Sequence, residues 1–429
     1  MHVVMLSDAE ITGGAAIATN RLAEGLAAKG VRVSRIIGIG DATTIPESWV
    51  RYRVFPNVSG GYIPKIVERI SIPLLTRIYT KISAHRIDTL LRRINPDMIN
   101  VHNIHGAGWS PEIITVCTAY APVVWTLHDM WSFTGRCAYS YDCQKFLDGC
   151  DHLCPTKGEY PHTSWRDIPA SWMTREEILR ENCDLIAVTP SRWLAAEAGK
   201  GLWNDHRIEV IPNGLPLEKY RPVTRDSARA TLGINDDGPF ILAAAQYLFE
   251  RRKGGYLLLE SLQRIDEELS IITFGMDKIR LSGTGNKKVH NLGFVPEEKK
   301  ILALNAADVY VHPAEVDNLP NVVMEAIACG TPVVGFNTGG VPEMVRESET
   351  GWIAPDVSID SLTAVIRRAL EDVSYGHTLR ESCRKIAERE YDVVLQSDRY
   401  LNLFEDLLRL LPDSITRPSS IPRQSYRME

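Results

Sequence analysis

The sequence predicts an α/β protein of Rossmann-like, doubly wound domains. Three observations carry this. His2 to Ser7, Ala15 to Lys29 and Val31 to Ile37 read as strand, helix and strand, with Gly13-Gly14 at the first turn and Gly30 closing the helix. The segment ADVYVHPAEVDNLPNVVMEAIACGTPVVGFNTGGVPEMV, residues 307 to 345, repeats the pattern. Its Val309 to His312 is a β-branched and aromatic strand, Asn321 to Cys329 is helical, and Thr331 to Phe336 is apolar throughout, as a parallel strand buried on both faces requires. A chain of 429 residues then suggests two or three domains.

Composition narrows the class. An apolar fraction of 44% and a charged fraction of 24% are those of an ordinary globular protein. A net charge of −6 gives no nucleic-acid signature. No apolar run is long enough to span a bilayer, and the chain opens as a strand with no basic region or cleavage site. A cytoplasmic location is therefore expected, with the eight cysteines reduced or metal-bound rather than paired.

Within 307–345, Asn318 and Pro320 mark the start of the helix. Asp317 lies just before it and Glu325 just over one turn in. A helix N-terminus presents free N–H groups and suits a phosphate. Glu325 could then grip a ribose diol, and Asp317 could reach what lies beyond the phosphates. Spacing alone also allows a plain crossover with two solvated acids. Glu250-Arg251-Arg252-Lys253-Gly254-Gly255 precedes another helix and forms a plausible diphosphate clamp, Arg giving bidentate bonds and Lys a point charge.

In the first half, the Gly13-Gly14 turn is not G-x-G-x-x-G, which argues against a nicotinamide enzyme, but a glycine pair lets backbone approach a ligand closely. The strands Asp97–His102 and Val123–Leu127 end near His102 and near His128-Asp129. Ligands in open α/β sheets sit at such carboxyl ends. Tyr62 to Asn95 is basic and amphipathic, with seven Lys and Arg against Glu68 and Asp88. Such a helix can lie on an anionic membrane surface or simply present a solvated face. The loop 131–155 holds Cys137, Cys143, Cys150 and Cys154, a set open to structural zinc, disulfides or free thiols.

The organisation read from these elements is a first domain over 1–199, a hinge between about Gly199 and Asn213, a second domain over 213–385, a long helix over 393–411 and a disordered tail over 412–429, which is rich in Pro, Ser and Arg.

The segment with Asp317 and Glu325, followed by EAIACGTPVV and GGVPE, resembles the Glu-x7-Glu region of retaining glycosyltransferases of family 4, which have the GT-B fold, implying two Rossmann-like doubly wound domains that face each other across a cleft. Asp317 departs from the usual first Glu, and Leu248 stands where an arginine is usual. The resemblance implies a nucleotide-sugar donor and a glycan or lipid-linked acceptor in surface polysaccharide synthesis, with no cofactor needed for catalysis. It assigns Glu325 to the donor ribose and Asp317 and His128 to the donor sugar. Lys253, with Arg252 or Arg251, falls to the diphosphate, and the loop of Phe294 to the base. Asn318 and Leu319 at the helix start and Gly13-Gly14 complete the donor site. The cysteine loop resembles an insertion found in one subgroup, and attachment to the inner membrane surface through 62–95 fits relatives that extend lipid-linked glycans. A nucleotide-sugar epimerase and a non-catalytic glycan-binding scaffold are the alternatives.

Overall fold

The computed structural model describes residues 1–40, 48–55, 73–156, 158–159, 161, 167–281, 287–376 and 379–410, with main chain alone at 73–77. Among these residues the strands form two parallel sheets. The first contains β1 (His2–Ala9), β2 (Arg32–Ile39), β3 (Val50–Arg53), β4 (Met98–Val101), β5 (Val123–Thr126), β6 (Ile186–Thr189) and β7 (Arg207–Val210), in the order β3-β2-β1-β4-β5-β6-β7. The second contains β8 (Phe240–Ala244), β9 (Leu269–Phe274), β10 (Lys287–Asn291), β11 (Val309–His312), β12 (Val333–Phe336) and β13 (Gly351–Ala354), in the order β10-β9-β8-β11-β12-β13.

Each sheet is buried on both faces because its central strands are apolar on both. Along β1, Val4 and Leu6 join a core with Ile87 and Leu91 of the helix Pro73–Ile94. The alternate residues Val3 and Met5 turn the other way, to Leu22 and Leu26 of the helix Gly14–Ala28. In the second sheet Leu242 and Tyr310 meet Val323 and Ile327, while Ile241 and Val311 meet Leu258 and Ile366.

The last helix, Val393–Leu410, leaves the second domain and packs on the first sheet. Tyr400, Leu403 and Phe404 share the core of Val3 and Met5, and the Tyr400 hydroxyl is 2.9 Å from Thr126 Oγ1. Gly25 permits the approach, since a Cβ there would collide with Ser397 Oγ.

The elements differ from expectation in places. The first sheet continues to Val210, past the boundary expected at 199, because β7 pairs with β6. The edge strand β3 and the short helix Ile113–Thr118 were not foreseen. The helices Ile168–Glu181 and Arg380–Glu390 pack on the first and second domains. Of the basic stretch 62–95, residues 62–72 lie outside the described residues, as does the tail 412–429. No helix among the described residues is long and apolar enough to cross a membrane.

Phe404 is fully buried between the last helix and the first sheet. Phe404→Ala is expected to destabilise the fold by about 3–5 kcal/mol, read from urea unfolding. A loss under about 1 kcal/mol would mean that the helix is not seated there.

Candidate active site

Strand order reverses between β1 and β4 in one sheet and between β8 and β11 in the other, and both reversals open onto one cavity of about 1150 Å³. The first domain lines it with Asp8, Gly13, Gly14, Arg21, His105, His128, Asp129 and Tyr139. The second lines it with Arg251, Arg252, Lys253, Phe294, Asp317, Asn318, Leu319 and Glu325.

Asp317 is the centre of charge. Its Oδ2 lies 2.7 Å from Lys253 Nζ and 3.1 Å from Arg252 Nη1, and its Oδ1 accepts from the Tyr139 hydroxyl at 3.1 Å and from its neighbour Asn318 N–H at 3.1 Å. Burial works to raise its pKa, but Lys253 and Arg252 outweigh that and hold it well below the carboxylate range. Burial lowers Lys253, with Arg252 adding to the effect and Asp317 opposing it. Burial also pushes His312, 3.7 Å from Asp317, down to about 3, so it is neutral at pH 7.

Glycines make this cluster possible. Gly254, at φ +65°, abuts the Pro313 carbonyl, where a Cβ would collide, and Glu315 N–H donates to the Arg252 carbonyl at 2.8 Å. The basic turn and the acidic loop are thereby stitched together. Gly339, at φ +59°, and Gly340 press on the carbonyls of Asp317 and Asn318, and Gly340 N–H donates to Asp317 O at 2.9 Å. The GGVPE run therefore acts as a backbone brace for the acid.

Glu325 sits on the helix Asn321–Ala328, and its Oε1 accepts from Arg21 Nη2 at 2.7 Å and from Lys300 Nζ at 2.9 Å. Burial would raise this carboxyl, but Lys300 and Arg21 hold it below its usual range. Arg21 comes from the helix after Gly13-Gly14, so the pair crosses the cleft. The acid expected to face a ribose is already ion-paired through one oxygen. Oε2 has no hydrogen-bond partner and is shielded from water.

The remaining expected residues are placed as follows. His128 Nε2 is 3.0 Å from His102 Nδ1, and burial lowers it to about 4. Its carbonyl accepts from Asn318 Nδ2 at 3.0 Å, while the Gly14 carbonyl accepts from Asn321 Nδ2 at 2.9 Å. The acid loop and helix start thus touch both first-domain loops. Leu319 is buried in the second core at the cavity wall, and Phe294 stands 78% exposed at its rim. Arg251 turns aside to Glu159 at 3.1 Å and Glu315 at 3.6 Å.

Cys137, Cys143, Cys150 and Cys154 line one small cavity behind this wall. Among the described residues no three His, Cys, Asp or Glu side chains are grouped to hold a metal ion. Three of the sulfurs have local hydrogen-bond partners. Cys137 and Cys154 both reach Thr156 Oγ1, at 3.1 and 3.5 Å, and Cys150 accepts from Gly135 N–H at 3.2 Å. All four are free thiols, with no disulfide.

Arg21, Lys300 and Tyr139 were not anticipated. Each is one polar residue in a helix or loop with no motif around it. Only the arginine on the largely apolar helix behind the glycine turn carried a signal, and that signal named no partner.

Two family descriptions match the chain in succession: "Glycosyltransferase Family 4" over residues 12–219 and "Glycosyl transferases group 1" over 224–390. The putative colanic acid biosynthesis glycosyl transferase WcaC of Escherichia coli is 26% identical over 333 residues, covering 74% of this chain and 78% of that protein. Among solved structures, the sucrose-phosphate synthase of Thermosynechococcus elongatus superposes with a TM-score of 0.72 at 20% identity, over 95% of this chain and 99% of that one. Anabaena Alr3699/HepE in complex with UDP-glucose does so at 0.65 and 16%, over 95% and 100%. With two parallel-sheet domains opening onto one cleft and both halves matched, the chain is a GT-B glycosyltransferase, family 4-like in its first half and group 1 in its second.

Proposed function

We propose that this chain moves a sugar, with retention of configuration, from a nucleotide-diphosphate sugar to a hydroxyl of a glycan or lipid-linked oligosaccharide in surface polysaccharide synthesis. The observation that carries the reading is the joining of Lys253 and Arg252 to Asp317 on the same cavity as Glu325 and the start of the helix Asn321–Ala328. Charge grows on the departing diphosphate as the glycosidic bond breaks. Two fixed cations and a helix N-terminus stabilise it there with little reorganisation. Asp317 positions the sugar, Glu325 takes the ribose, and attack on the same face through an oxocarbenium-like state needs no nucleophile from the chain. WcaC supports a polysaccharide setting by its name, and the UDP-glucose complex of Alr3699/HepE supports a nucleotide-sugar donor.

The membrane side of the proposal rests on the helix Pro73–Ile94. Ile78 and Ile82 are exposed on either side of exposed Lys81, with Arg92 and Arg93 exposed further along. The zinc expected of the cysteine loop belongs here too. Four thiols on one cavity support it, and binding would require them to converge.

Four outcomes are expected. With a nucleotide sugar that the wild type turns over, Lys253→Ala loses at least about a hundredfold in kcat while its Tm stays near that of the wild type; near-normal turnover would remove the clamp. Nucleotide release that depends on the acceptor sets a transferase apart from an epimerase. Vesicles containing anionic lipid sediment the full chain at low salt and release it at high salt; equal sedimentation with neutral vesicles would sink the basic-face attachment. Protein purified under reducing conditions carries one equivalent of zinc, and a metal-free, fully folded sample would leave the four cysteines as plain thiols.

A further inference from the structure

We infer that Tyr139 reads a hydroxyl of the transferred sugar, acting as the exposed face of the Asp317 carboxylate. The inference rests on the donor-site reading above and adds to it a specificity residue from the first domain.

Asp317 is poorly placed to read a sugar alone. It is 7% exposed, and both of its oxygens are engaged: one by Lys253 and Arg252, the other by Tyr139 and the Asn318 amide. Tyr139 is only half-buried and lines the same cavity. Its hydroxyl gives its proton to Asp317, which leaves the phenolic oxygen's lone pairs to accept from a ligand hydroxyl. A phenol polarised by a buried carboxylate is a stronger acceptor than a phenol in water.

The ring is held in place from two sides. Trp193 stacks on it at 6.3 Å with planes 12° apart, and the Arg252 guanidinium lies over it at 4.7 Å. Arg252 therefore contacts both the acid and the ring, so Tyr139 sits next to the group proposed to meet the diphosphate. The basic turn holds two further first-domain residues as well: Arg251 pairs with Glu159 and covers the Tyr141 ring at 4.8 Å. Behind it, Cys137 lines both the main cavity and the thiol-lined one, so packing of the four thiols sets the position of the wall that carries Tyr139. A site built to hydrogen-bond a hydroxyl discriminates strongly against an analogue that lacks it.

The test is a cycle between side chain and substrate. UDP-, GDP- and ADP-sugars are first screened with the wild type. For a donor that turns over, kcat/KM is measured for wild type and Tyr139→Phe on the parent sugar and on its 2-, 3-, 4- and 6-deoxy analogues. The wild type is expected to lose roughly tenfold or more on one deoxy position. Tyr139→Phe should show a similar loss on the parent and no further loss on that analogue, while its calorimetric affinity for the nucleoside diphosphate alone stays at the wild-type value. Wild-type kcat/KM in Tyr139→Phe, or a uniform loss on every analogue together with weaker nucleoside diphosphate binding, would overturn the inference and leave the donor site standing. If Tyr139→Phe does not fold, the wild-type series decides, and indifference to every deoxy analogue overturns it. A wild type that turns over none of these donors removes the donor-site reading, and the role of Tyr139 with it.

Discussion

The cleft is organised around one buried carboxylate. Asp317 could not stay ionised where it lies without Lys253 and Arg252, since desolvation alone would push its pKa upward. The two cations could not be packed so close together without Asp317 between them. The three charges are therefore a unit: removing Asp317 leaves two cations side by side with no counter-charge, whereas removing Lys253 leaves Arg252 paired with Asp317. The glycines at 254, 339 and 340 exist in service of this unit: they let the chain carrying each charge approach to backbone contact.

The same logic recurs at Glu325, with a difference that matters for domain motion. There the compensating charges come from both sides of the cleft, Lys300 from the second domain and Arg21 from the first. Together with the contacts of Asn318 to the His128 carbonyl, Asn321 to the Gly14 carbonyl and Glu343 to the amides of Arg192 and Trp193, this pair fastens the two sheets face to face. The structure is thus a closed arrangement in which the proposed donor residues already hold one another. A ligand with a diphosphate and a diol would exchange these contacts for its own rather than fill an empty set of donors and acceptors.

Much of the donor half was legible from the chain. The clamp, the two acids and the glycine brace all sit near helix starts, where local rules are strong: glycine marks positive φ, proline and asparagine mark the first turn, and an apolar run marks a parallel strand. The first half was less legible. Strand β3 is a short edge strand of mixed polarity, and Asp167, at the start of the helix Ile168–Glu181, makes no side-chain cap. The boundary at 199 fell short because β7 is half-exposed and carries no buried apolar pattern to announce that it closes the first sheet.

What the sequence determined by itself was the alternation of elements, and through it two parallel sheets whose carboxyl ends open onto one cavity. It also determined which few charged residues lie at those ends, because each sits a fixed number of residues from a turn. What only the tertiary structure decided was the pairing: Arg21 with Glu325 across 304 residues of chain, Tyr139 with Asp317 across 178, and the last helix beneath Thr126 across 274. Local rules fix φ, ψ and the face of an element. They carry no information about which distant side chain will satisfy a buried charge, and that is settled only when the two domains meet and desolvation makes an unpaired group too costly to keep.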